Sequence, residues 1–171
     1  MARHTAAAVA ACRAIRDSLD IAPQIKWVND LYLGEKKCGG ILVETQPDRD
    51  GMVQSLVIGI GLNLQTQDFP GELAQTAASL RPRQGSRNEL AAAIARELLR
   101  ITADLDRRSW MEDYRRWSLV LGRDILYWQN DEPRPARAVE IMENGGLLVE
   151  HPDGSRALLQ SGEITLRLRH T

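Results

Sequence analysis

The chain has 171 residues, 43% hydrophobic and 26% charged, with 22 basic against 23 acidic side chains and a formal net charge of −1. That balance suits a soluble globular protein of one good-sized domain, or one domain with a small appendage. It excludes a global basic field that would draw the chain to nucleic acid or acidic lipid. Two cysteines and three histidines without ligand-like spacing exclude a disulfide framework, predict no structural metal and read as a reducing, cytoplasmic compartment. Residues 6–11 (AAAVAA) are too short to cross a bilayer and lack a cleavage-site context. The arginine density between Arg81 and Arg116 reads as solvated helix faces.

In chain order, residues 4–19 place Val9, Cys12, Ile15 and Leu19 at the spacing of an amphipathic helix rich in alanine. Pro23 ends it. Residues 25–30 and 38–45 read as two strands joined through 31–33 and the turn 34–36. PDRDG (47–51) is a turn by composition, and 52–65 is a long apolar strand interrupted by Gly59 and Gly61. Three strands on short connections predict an antiparallel meander. A short helix is expected around 71–78. A stronger one opens at Ser86, where Ser86 and Glu89 form a capping-box pattern before Leu90, Ile94, Leu98, Ile101 and Leu105. The same box at Ser109 and Glu112 predicts another helix, with Trp110, Tyr114 and Trp117 on one face as core packing. Helices covering one face of an antiparallel or mixed sheet make an α+β layer. From about residue 120 the texture turns strand-rich, with turns at Asn130-Asp131, Asn144-Gly145-Gly146 and Pro152-Asp153-Gly154. This predicts a unit 1–120 followed by a small SH3-like or OB-like barrel over 121–171.

The chemistry concentrates between Lys26 and Asn63. A lysine beside an Asn-Asp pair needs a partner, and a bound anion is one candidate. Glycines inside strands, here Gly39-Gly40 and then Gly59-Ile60-Gly61, often mark where a ligand or another backbone comes close. Each element alone is weak. GIGLN lacks the spacing of a dinucleotide fingerprint, and no phosphate-binding G-x-x-x-x-G-K-[ST] loop is present. Together they describe a cleft floor for a flat ligand carrying phosphate.

The combination KWVND, KKCGGILVE and VIGIGLN resembles the catalytic core of biotin protein ligases, whose pattern runs K-W-P-N-D, K-x-x-G-I-L-x-E and G-x-G-x-N. Val28 replaces the proline, and valine suits a strand. The ending SGEITLR (161–167) is similar to the family's C-terminal barrel ending. The resemblance implies the α+β fold of the class II synthetase-like biotin and lipoate ligases. It also implies ATP-dependent biotinylation of a lysine on the biotin carboxyl carrier domain of acetyl-CoA carboxylase, through biotinyl-5′-adenylate, with Mg²⁺ accompanying ATP. Lys37 would be the catalytic cation. Biotin would lie against Lys37, Gly39, Gly40 and Ile41. The nucleotide would lie against Lys26, Trp27, Asn29, Asp30 and Asn63. The hairpin alone leaves a lipoate-type substrate open; K-W-x-N-D favours biotin. A homodimer paired through the sheet is a further possibility that the resemblance leaves open.

In the family, a Ser-Thr-Asn segment and a G-R-G-R-x-G loop lie upstream of K-W-P-N-D, and no such loop precedes Lys26 here. Strands absent with it would leave a sheet edge bare. No winged helix-turn-helix is present either, so operator binding is not expected. Three readings follow. The chain is a ligase shown without its front part, a half-enzyme needing a separate N-terminal chain, or a binding module for nucleotide or carrier domain without turnover.

Overall fold

A computed structural model of the chain describes residues 2–50, 52–82, 86–162 and 164–166. Helix α1 (Ala2–Leu19) comes first, followed by β1 (Gln24–Lys26), β2 (Asp30–Leu33), β3 (Lys36–Pro47) and β4 (Val53–Leu62). Three helices come next: α2 (Leu73–Thr76), α3 (Ser86–Thr102) and α4 (Met111–Arg116). The remaining strands are β5 (Asp124–Gln129), β6 (Glu132–Ile141), β7 (Leu147–Glu150), β8 (Arg156–Leu159) and β9 (Ile164–Leu166). The side chain of Ser86, expected to cap α3, and the ends of the 161–167 stretch at Glu163 and Arg167 lie outside the described residues.

Two antiparallel sheets result, ordered β1-β2-β3-β4 and β8-β7-β6-β5-β9. Alternation along β3 and β4 decides which face of the first sheet is covered. Ile41 and Val43 are buried and Leu56, Ile58, Ile60 and Leu62 half-buried on the helix side, whereas Leu42, Glu44, Val57 and Gly59 lie exposed on the other. Helix α1 packs against α3, α4 and β3. Six of its alanines, Ala6, Ala7, Ala8, Ala10, Ala11 and Ala14, are buried. Small side chains let the backbones approach closely, so the helix acts as a smooth spacer rather than a source of large apolar knobs.

The stretch 25–45 differs from its expected form. Instead of one strand over 25–30, the chain reverses at Trp27–Asn29, so β1 and β2 form a hairpin of their own before β3. Val28 therefore sits in a turn rather than a strand, and the Trp27–Val28 peptide bond is cis. The cause is local bonding. Asn29 donates from Nδ2 to the Ile41 carbonyl while its own carbonyl accepts from Ile41 N at 3.0 Å, and the Tyr114 hydroxyl donates to the Val28 carbonyl at 2.7 Å. The edge of β1 is covered too: Ile25 N donates to Trp117 O and Leu119 N to Ile25 O, both at 2.8 Å.

Ser109 does not cap α4. Its hydroxyl donates to Asp104 Oδ2 at 2.8 Å, and the helix starts after Trp110 without a side-chain cap. Trp110 and Tyr114 are core residues as expected. The Asn130-Asp131 turn forms with both residues at positive φ, 52° and 61°, as a two-residue hairpin between β5 and β6 requires. Among the described residues no helix is long and apolar enough to cross a membrane.

Candidate functional site

The open face of the first sheet gathers the polar residues of the sequence motif. Lys26 pairs with Asp30 across β1–β2, and Asp30 pairs with Gly40 across β2–β3. Gly40 in turn pairs with Gly61, and Leu42 with Gly59, across β3–β4. Residues directly opposite in a sheet point to the same side. The result is a strip with no side chains, Gly40 beside Gly61, closed at one end by charge and flanked by Leu42 (57% exposed) and Val57 (51%).

The charged end is built on an ion pair. Lys37 Nζ lies 2.7 Å from Asp30 Oδ1, with 46% of the lysine side chain exposed. A Cβ at Gly40 would meet Asp30 Oδ1 at 3.2 Å and Lys37 Nζ at 3.6 Å, so the pair sits directly over that glycine. Lys26 lies alongside, its Nζ 5.5 Å from the centre of the Tyr32 ring and 3.5 Å from the Tyr32 hydroxyl. Lys37 and Lys26 thus bring two ammonium groups to this end of the strip, the first of them paired with Asp30. A half-exposed pair contributes little to stability, about 0–1 kcal/mol; its chemical value is a desolvatable cation held in place.

Four of the expected ligand residues also hold the fold together. Gly39 is buried, and a Cβ there would meet the Gly61 carbonyl oxygen at 2.7 Å, so its missing side chain makes room for β4. The Ile41 side chain lies in the core, and both its backbone polar groups are taken by Asn29. That exchange makes Asn29 a clip between the turn and β3. Trp27 is only 4% exposed, and its indole N–H donates to the carbonyl of Gly145 in the second sheet at 2.9 Å.

Asn63 follows β4 and bonds by its backbone to Cys38 and Leu80, while its side-chain amide donates to Ala78 O at 3.2 Å. Lys26, Asp30, Lys37 and Gly40 are therefore the expected residues that the fold does bring together. Tyr32, Leu42 and Val57 join them without having been singled out. For Leu42 the signal was available, since it stands two residues from Gly40 on a continuous strand. Among the described residues no group of three or more His, Cys, Asp or Glu is placed to hold a metal ion.

Residues 3–63 match the family described as the biotin/lipoate A/B protein ligase family, a match that contains every one of these site residues. Those residues carry that family's domain. It is 42% identical over 95 residues to the bifunctional ligase/repressor BirA of Bacillus subtilis, covering 54% of this chain and 29% of that protein. To the BirA of Escherichia coli it is 31% identical over 151 residues, covering 84% of this chain and 46% of the relative. The chain thus spans less than half the length of these relatives. Its fold resembles that of a biotin protein ligase from Aquifex aeolicus solved in complex with biotin and ATP, with a TM-score of 0.79 at 23% identity. That likeness covers 98% of this chain and 71% of the other. A Leishmania major biotin protein ligase in complex with biotinyl-5-AMP gives a TM-score of 0.55 at 24% identity, over 92% and 70% of the two chains. At those identities the structures speak for the fold.

Proposed function

We propose that this chain carries the ligand-binding floor of a ligase that joins biotin to a lysine of a biotin carboxyl carrier domain at the expense of ATP. The observation that supports the reading best is the Lys37–Asp30 pair standing over the Gly40–Gly61 strip. A flat bicyclic acid fits a side-chain-free strip, and its carboxylate would reach the ammonium groups.

In the first step a biotin carboxylate oxygen attacks the α-phosphorus of ATP and pyrophosphate leaves, giving biotinyl-5′-adenylate. In the second the carrier lysine's neutral amine attacks the acyl carbon, AMP leaves, and the amine's proton goes to solvent. Negative charge builds on the phosphorus oxygens in the first step, and Lys37 would stabilise it electrostatically with Lys26 behind it. Asp30 would hold Lys37 in place until the ligand competes for it. Mg²⁺ would enter with the nucleotide, since Asp30, the carboxylate at the charged end, is already shared with a lysine.

The division at about residue 120, an SH3-like second unit, a cytoplasmic location and pairing into a homodimer belong to the same reading. A second reading is a floor that binds the adenylate without turnover.

The test is to incubate the purified chain with biotin, ATP, Mg²⁺ and a carrier domain, and in parallel to titrate it calorimetrically with a non-hydrolysable biotinyl-adenylate analogue. Binding with labelled carrier supports the ligase, and binding without label supports the second reading. Lys37→Ala is expected to weaken analogue binding by about tenfold or more. Unchanged affinity would remove Lys37 from the site.

A further inference from the structure

The Asn144-Gly145-Gly146 turn joins β6 to β7, two inner strands of the second sheet, far from the site in sequence. Its geometry is tightly set. Gly145 adopts φ +86°, Gly145 N donates to Met142 O at 2.8 Å, Met142 N donates to Gly146 O at 2.8 Å, and Asn144 Oδ1 accepts from Gly146 N at 2.9 Å. A left-handed residue there favours glycine. The turn is also anchored to the helical layer. Arg115 Nε donates to Ile141 O at 2.8 Å, the Arg115 guanidinium pairs with Glu143, and Arg108 donates to Glu143 O at 2.9 Å. All this bonding aims the Gly145 carbonyl at one place, where it accepts the buried Trp27 N–H across 118 residues of chain.

Trp27 opens the turn that carries Asn29 and Asp30. That turn has three fastenings: Trp27 to Gly145, the Val28 carbonyl to Tyr114, and Asn29 to Ile41. Only the first comes from the second sheet. We propose that the Asn144-Gly145-Gly146 turn is a positioning element of the ligand floor, with Trp27 as the positioning residue that transmits the second sheet's placement to Asp30 and, through the ion pair, to Lys37. The inference rests on the ligand reading above for its functional consequence, but not for its structural one. Trp27 makes no ligand contact in this account; it acts through the turn it begins. The carbonyl it engages needs a donor at one distance and direction, which phenylalanine does not supply and no neighbouring side chain replaces.

The experiment compares Trp27→Phe, Gly145→Ala and their double variant with the wild type, reading amide hydrogen exchange without ligand and affinity for the non-hydrolysable biotinyl-adenylate analogue. Trp27→Phe is expected to speed exchange at Ile41 N, which bonds to Asn29 O, while Ala138 N, bonded to Arg123 O in the second sheet, keeps its wild-type protection. Affinity is expected to fall about tenfold in either single variant and no further in the double, because Trp27→Phe removes the donor and Gly145→Ala, strained at φ +86°, moves the carbonyl that accepts from it. Unchanged exchange at Ile41 in Trp27→Phe overturns the proposal, as does a uniform rise at Ile41 and Ala138, which would mark general destabilisation. If the wild type does not bind the analogue, the ligand reading fails and the exchange data alone decide the positioning role.

Discussion

Gly39 and Gly61 stand on paired strands and serve opposite ends. A methyl at Gly39 would run into the Gly61 carbonyl, a backbone atom that cannot rotate away, whereas at Gly61 the nearest atom is Gly40 O at 3.9 Å. Gly39→Ala is therefore expected to destabilise the fold by about 1–3 kcal/mol, read as a fall in Tm. Gly61→Ala is expected to leave Tm nearly unchanged while weakening binding of the biotinyl-adenylate analogue. The two cysteines show the same contrast between location and chemistry. Burial pushes the Cys12 thiol up to about 12 and the Cys38 thiol up to about 11. Both thiols are thus neutral in the folded chain at pH 8 and are expected to resist alkylation there until it unfolds. Because the folded values lie above the unfolded one, the unfolded chain releases these protons first. Stability is unaffected below pH 9 and falls as pH rises from 9 towards 11, by about 1.4 kcal/mol per pH unit for each thiol. Denaturant midpoints at pH 8, 9.5 and 10.5 check this; a flat series would contradict it. At this scale the sequence identified which residue types matter but not their roles. Asn29 and Trp27 look like ligand groups in one dimension, and their donors turn out to be spent on Ile41 and Gly145, partners 12 and 118 positions away.

Among the elements, β3 and β4 were the most legible, because alternation and glycine placement are local and strong over 36–47 and 53–62. The β1–β2 hairpin was missed although Asn29-Asp30 is the same pair that marks the turn at Asn130-Asp131; the reversal is held by bonds from Asn29, Tyr114 and Trp27 to partners far along the chain. Helix α4 began one residue later than its capping box implied, the Ser109 hydroxyl having found Asp104 instead. α4 also fixes the site from beneath through Tyr114, whose phenol is pushed far up by burial and stays protonated as a donor. Tyr114→Phe removes that donor and leaves the Val28 carbonyl unsatisfied. The expected loss is about 1–3 kcal/mol, measured as a lower urea midpoint with an unchanged m-value.

For the molecule as a whole, the two sheets share bonds rather than a flexible tether. The Trp27–Gly145, Arg115–Ile141 and Arg108–Glu143 contacts all cross the junction. Unfolding is therefore expected to be a single transition, with far-ultraviolet circular dichroism and tryptophan fluorescence tracing the same curve. Two separated steps would show that the junction carries less than its geometry indicates. The change of texture near residue 120 located the second sheet from sequence alone, but the bonds that weld it to the first are long-range and invisible to any local pattern.

Helix α1 offers no ligand group, yet Ala8, Ala10 and Ala11 of its alanine face are fully buried where it packs into the core. Enlarging Ala8, Ala10 or Ala11 is expected to overpack that core, at about 1–3 kcal/mol each. A comprehensive substitution screen of this chain would then mark two regions as intolerant, α1 and the Lys26–Lys37 cluster, for unrelated reasons. Growth temperature separates them: defects in the helix should soften in the cold, and defects at Lys37 should not. Mutational intolerance by itself would therefore be a misleading map of where this protein does its chemistry.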